Sequence, residues 1–339
     1  MTGSAVPGGD GHEPETGPRD MLTALPSPAP GTARRTVSIE VTPAPTWDQG
    51  LTIVATARDL LAGPDGSGRE LDARELTVTL DTASRITALS GDLPGPVRDG
   101  LAGASAVRGF RAHLATLADA GLEPDSLASA LLDDLPTVRL ISGYAMMMER
   151  PRLFPPSDRP SPMLGICTGW APGATADGRI RAGTRLLGTV PAAPPLASMT
   201  RAATDFHAEP PARPGSMRRR RILDLTPRGD AFEVFEYFRD SHLDAELREG
   251  SLHEYVVRAS VSAGDPPILT GIDAEPRALP FPECPLAAPR VADLVGASTH
   301  EIVGAVKARL SGTRGCTHLN DVLRFLRYVP TLRTLVAAG

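Results

Sequence analysis

From position 34 the chain alternates apolar and polar residues with a period of two. Val37, Ile39 and Val41 alternate with polar neighbours, and similar runs follow at 51–57, 76–80 and 86–89. Alternation of this kind, broken by turn residues such as Pro64, Asp65 and Gly66, predicts four strands. The period then lengthens. Residues 101–117 carry apolar positions at helical spacing, 127–135 predict a second helix, and the apolar stretch 138–148 comes after them.

The same order recurs in the second half. Arg34, Arg35, Ile39, Val41, Thr42 and Pro43 are answered by Arg218, Arg219, Leu223, Leu225, Thr226 and Pro227, each 184 positions later. Arg58 and Asp59 answer to Arg239 and Asp240, and 101–105 to 294–298, so the offset drifts from 181 to 193 as loop insertions would make it do. Strands are predicted at 232–238, 252–261 and 268–272. Ser298 with Glu301 reads as a capping box before Ile302, and a last helix after Thr317 carries Val322, Leu323, Leu326 and Val329. The fold expected is α+β: a duplicated antiparallel strand-rich unit, each copy followed by helices, arranged in two lobes.

Between these regions the pattern fades. Residues 1–33 are rich in Gly, Pro, Ala and Thr and predict a disordered tail. The first copy then spans 34–150 and the second 218–330. The Pro- and Gly-rich stretch 151–217 reads as a linker with local structure at 163–170 and 180–190.

Composition narrows the function. A hydrophobic share of 41% with 22% charged residues is that of a soluble globular protein. A net charge of −5 with interspersed signs gives no nucleic-acid groove and no membrane-binding face. No apolar run reaches the roughly 20 residues that span a bilayer, and no signal pattern opens the chain, so a cytoplasmic location is expected. The three cysteines Cys167, Cys284 and Cys316 make no disulfide framework and no CxxC pair. Walker loop, strand-following GxGxxG, HExxH and GxSxG motifs are all missing from the sequence.

Four words stand out: Phe238-Arg239-Asp240-Ser241-His242, Leu252-His253-Glu254-Tyr255, Pro282-Glu283-Cys284-Pro285 and Gly315-Cys316-Thr317-His318-Leu319-Asn320. In this order they resemble the bacterial domain-of-unknown-function family 2889. The resemblance covers about 218–328 and extends more weakly to about 34, as in long, duplicated actinobacterial relatives. It implies where chemistry gathers and brings no function with it. The first copy departs from it: Arg74 stands near the place of His253, and neither the cysteines nor the Cys-x-His word recur there.

Cys316 and His318 fall where a helix begins, so backbone N–H groups and the helix dipole favour a thiolate at Cys316. The plainer alternative is a small buried cysteine with Thr317 as the N-cap. His253 lies in a strand on the face of Tyr255, Val257 and Ala259, as a satisfied core histidine or as a base, orienting partner or metal ligand. Pro282 and Pro285 are expected to hold Cys284 extended. Two cysteines and two histidines could complete a zinc site, although Cys-x-His spacing is unusual for one. His242, Arg239, Tyr255 and Asn320 are the candidate substrate contacts. The four arginines at 218–221 either hold an anion such as a coenzyme phosphate or lie solvated on an edge strand. Trp170, beside Cys167, is expected to pack at an interface between the lobes.

The function these residues suggest is a small-molecule enzyme without a redox cofactor. His253 and His318 would move protons and Cys316, with Cys284 beside it, would supply the thiol, in hydratase or lyase chemistry on an organic acid, aromatic acids included, or its thioester. The alternatives are a non-catalytic ligand-binding or scaffold protein and a zinc-stabilised binding module. The partner expected is a small-molecule substrate.

Overall fold

The alternating segments pair into one sheet. In the computed structural model, which describes residues 17–149, 161–184, 186–187 and 190–338, the strands are β1 (Ala33–Pro43), β2 (Leu51–Ala62), β3 (Gly68–Leu80), β4 (Ile86–Gly91), β5 (Met217–Arg228), β6 (Ala231–Leu243), β7 (Glu249–Ser262) and β8 (Leu269–Ala278). They form an antiparallel eight-stranded sheet in the order β4-β3-β2-β1-β5-β6-β7-β8. The helices are α1 (Gly95–Leu101), α2 (Phe110–Ala115), α3 (Leu127–Asp133), α4 (Leu135–Glu149), α5 (Thr175–Arg181), α6 (Leu196–Met199), α7 (Ile302–Arg309), α8 (Thr317–Phe325) and α9 (Val329–Ala337). The class is α+β, as expected. The two halves meet through β1 and β5 and share one apolar core from Ile53 and Val78 to Val257 and Leu323, so separate lobes do not form among the described residues.

Local chemistry explains where elements stop. The helical pattern over 101–117 breaks into α1 and α2 because Gly103 and Gly109 take positive φ, a conformation that costs glycine little. The Ser298 and Glu301 capping box does not form. The Ser298 hydroxyl instead accepts from the backbone N–H of His300, and α7 begins without a side-chain cap.

The halves correspond in detail. β3 slips by one residue against β2 next to Asp59, and β7 slips against β6 next to Asp240. Ile86 exchanges backbone hydrogen bonds with Ala104 and Gly103, as Leu269 does with Ala297 and Gly296. Asp59 pairs with Asp72 where Asp240 pairs with His253, so Asp72, and not Arg74, holds the place of His253.

Helices α3, α4, α8 and α9 cover one face. The other face buries Ile222, Tyr237 and Val256 beneath Leu25, Met199 and Phe206. The expected tail therefore docks from Gly17 onward. The Asp20 N–H donates to the Arg277 carbonyl, the Leu279 N–H donates to the Pro18 carbonyl, and Leu25 is buried; residues 1–16 lie outside the described residues. Most of the expected linker also has a place. Met199 and Phe206 are buried on that second face, while Cys167 and Trp170 line a cavity on the first. No helix among the described residues is long and apolar enough to cross a membrane.

The arginines at 218–221 are neither an anion site nor a solvated edge. They sit on the central strand β5, buried, with carboxylates on both faces: Glu40 and Glu209 on Arg218, Asp240 and Asp134 on Arg219, Glu209 and Glu249 on Arg220, and Asp134 on Arg221. Buried guanidinium groups demand such partners, because an unpaired charge there costs several kcal/mol.

Candidate active site

Three segments bring the site together. The slip in register next to Asp240 makes Leu252 an extra residue, and Ser251, Leu252 and His253 in succession all line the same cavity. Regular alternation would turn the middle of three such residues away. The start of α8 supplies Cys316 as the N-cap residue, then Thr317 and His318. The segment carrying Cys167 is tied to that helix start: the Thr168 N–H and hydroxyl both donate to the Gly315 carbonyl at 2.9 Å. Only glycine fits at 315, since a Cβ there would lie 2.0 Å from the Leu310 carbonyl oxygen.

The cavity holds about 440 Å³, and His253, Cys284, Cys316 and His318 all line it, as does Cys167. All three cysteines of the chain thus face one space. The rings of His253 and His318 stack with centroids 3.4 Å apart and planes 18° from parallel. Behind them, His253 Nδ1 lies 3.6 Å from Asp240 Oδ2, just beyond hydrogen-bond reach. Asp240 accepts from Arg219 through both oxygens, at 2.8 and 3.0 Å. Burial opposes its charge, yet Arg219 and the adjacent His253 hold its carboxyl below the usual carboxylate range.

The cysteines differ in electrostatics. The Tyr255 hydroxyl donates to Cys316 Sγ at 3.4 Å. Burial works to raise the Cys316 pKa, but the hydrogen bond and charge of His318, the Tyr255 hydroxyl and the Leu319 N–H at the helix start outweigh it, and the thiol lies below the ordinary cysteine value. Burial and the neighbouring Cys316 push Cys284 far up and Cys167 up to about 11. Of the three thiols, Cys316 thus lies below the ordinary cysteine value and the other two lie above it.

The remaining expected contacts lie elsewhere. Arg239 is on the opposite face, paired with Glu254 and donating to the Leu22 and Pro194 carbonyls, so it anchors covering segments. His242 packs edge-on against Tyr144 at 5.4 Å without lining the cavity. Asn320 donates to the Leu310 carbonyl and fixes the loop before α8. Tyr255 reaches the site only through Cys316. Cys284 is not extended: it opens a 3-10 run, Cys284–Leu294, with Pro285 in its first turn. Trp170 packs edge-on to Phe281 at the cavity wall, not between lobes.

Among the described residues, the group of three or more ligand-type side chains within 4.8 Å is Asp240, His253 and His318, and neither cysteine of the expected zinc set joins it. Arg219 already engages both Asp240 oxygens. Nearly parallel rings also aim their in-plane lone pairs side by side, whereas zinc needs four ligands converging tetrahedrally.

A larger, open groove of about 790 Å³ lies across the other face, beside Thr56, Arg58 and His207. His207 bonds Thr36 through Nδ1 and Ser38 and Thr56 through Nε2, and burial drops its pKa to about 3. It is a neutral histidine satisfied by three hydroxyls.

Asp240 lies in the first of the four words, but only strand pairing makes it a neighbour of His253, and Ser251, two residues before His253, carries no chemical signal of its own. Cys167 and Trp170 were visible, but what they would meet was not.

Fold and site together define the class: an antiparallel α+β protein with a cysteine and histidine cavity at the end of its second four-strand unit. Residues 217–331, which include all four words quoted above, match the family model described as "Protein of unknown function (DUF2889)". Over that segment the chain is similar to this family. No curated protein and no solved structure matches it.

Proposed function

We propose that this protein is an enzyme that uses Cys316 as a nucleophile on the acyl group of a small organic acid derivative such as a thioester. The observation that carries the reading is the Cys316 thiol, depressed by His318 and Tyr255, at a helix start and open to a cavity. The thiolate attacks the acyl carbon and a C–S bond forms. As the bond to the leaving group breaks, His318 gives that group its proton. Water then attacks the acyl-enzyme, returning a proton to His318 and releasing the acid and the thiolate. His253, stacked on His318 and backed by Asp240, orients that ring. Hydratase or lyase chemistry is the second reading, favoured by the paired histidines; it leaves no covalent intermediate.

The depressed thiol suits a reducing, cytoplasmic setting. We also read the two halves as copies, in which Asp72 replaces His253 and the first copy serves as scaffold. The matching slips in register next to Asp59 and Asp240 support this reading.

Iodoacetamide labelling across pH tests the assignment without a known substrate. Cys316 is expected to react several-fold faster at pH 7 than Cys284 and Cys167, which serve as internal standards, and His318→Ala should shift its profile to higher pH. Labelling of Cys316 no faster than the other two would reject an activated thiol.

A further inference from the structure

We infer that the cavity takes an apolar acyl group of medium length, with its carbonyl at the Cys316 end. This rests on the reading of Cys316 as the nucleophile and names what is presented to it. The walls are apolar: Ile141, Met163, Ile166, Leu187, Leu252 and Phe281. Besides His253 Nδ1, which finds no hydrogen-bond partner among the described residues, the hydroxyl of Ser251 two residues before it is unspent. Ser251 lines the cavity, is only 1% exposed, and its hydroxyl has no hydrogen-bond partner among the described residues. A buried hydroxyl left so is destabilising unless something enters to meet it. A ligand carbonyl oxygen is a group it can donate to.

Size and polarity then select the ligand. Sugars and nucleotides would strand their hydroxyls and phosphates against these walls. At roughly 30 Å³ for each water-sized group, about 440 Å³ takes on the order of 15 non-hydrogen atoms. That fits a straight acyl chain of about 8 to 12 carbons or an aryl-propanoyl group of similar bulk. Short acyl groups leave most of the wall uncovered, and long ones must leave the cavity.

The test is displacement of the fluorescent probe N-phenyl-1-naphthylamine from the purified full chain by straight-chain carboxylates from acetate to hexadecanoate. Affinity should rise about fourfold with each methylene and level off or fall beyond about 12 carbons. Ile141→Trp, which fills the cavity, should move the optimum to shorter chains, and Leu187→Ala should move it to longer ones. If either variant fails to fold, the other still decides. Displacement that ignores chain length, or an optimum unmoved in a folded variant, overturns the inference. Iodoacetamide labelling of Cys316 is read separately. A reactive Cys316 with no carboxylate binding defeats this inference alone, whereas length-tuned binding with an inert Cys316 defeats the catalytic reading and leaves the acyl pocket standing.

Discussion

At Cys316 two neighbours act unequally. His318 contributes a hydrogen bond and a charge, whereas Tyr255 contributes one neutral donor at 3.4 Å. A neutral hydrogen bond contributes about 1 kcal/mol net, and a full pKa unit corresponds to about 1.4 kcal/mol. Tyr255→Phe is therefore expected to raise the Cys316 pKa by less than about one unit, and His318→Ala by more. Alkylation rates measured over pH 5 to 10 order the two, and a larger effect of Tyr255→Phe would contradict the hierarchy. The place of Cys316 at a helix start was readable because the helical pattern follows it in the sequence. Tyr255 was visible only as a strand residue, since the contact that matters crosses 61 positions.

The N-terminal segment shows how composition misleads at the scale of one element. Residues 17–32 have no hydrophobic periodicity, yet Leu25 is 2% exposed over the second face. The Leu22 N–H donates to Glu254 at 2.6 Å, and its carbonyl accepts from Arg239. Burying a leucine contributes about 1.5–3 kcal/mol, and removal of the segment also uncovers the Arg239 and Glu254 pair. Deleting residues 1–32 is expected to lower the thermal midpoint by several degrees, whereas deleting 1–16 is the milder truncation. Differential scanning fluorimetry compares them, and equal midpoints for both would show that the docked segment contributes nothing. The strands were legible beforehand because each carries its own period of two. This segment was not, because it borrows its order from a surface made elsewhere.

Across the whole molecule, β5 threads four arginines through the centre of the sheet, and Asp134, like Glu209, meets two of them. It accepts from Arg219 at 2.8 Å and from Arg221 at 2.7 and 2.9 Å. Burial opposes its charge, but these two cations hold its carboxyl below the usual value. A depressed carboxyl contributes stability above its unfolded pKa of about 3.9 and loses it as pH falls through the folded value. Asp134→Ala should cost about 3–5 kcal/mol at pH 7, because it takes from the buried Arg221 the carboxylate that it hydrogen-bonds, while Arg219 keeps Asp240. The deficit should shrink as pH falls below about 4, where the wild type is losing the same contribution. Urea unfolding at pH 7 and at low pH measures both, and a deficit independent of pH would place the cost in packing.

The sequence by itself determined the strands, their order relative to the helices, and the cysteines and histidines that line one cavity. Those features are local: periodicity, turn residues and a cysteine before a helix act within a few positions of themselves. Tertiary structure decided which face each charge occupies, that both halves share one sheet, and that the stretch read as a linker supplies Cys167 to the cavity. It also decided that Arg239 and the arginines at 218–221 are internal ion pairs, not substrate contacts. A guanidinium reads the same in sequence whether it meets water, a ligand or a carboxylate from another strand, and only strand pairing settles which of them it meets.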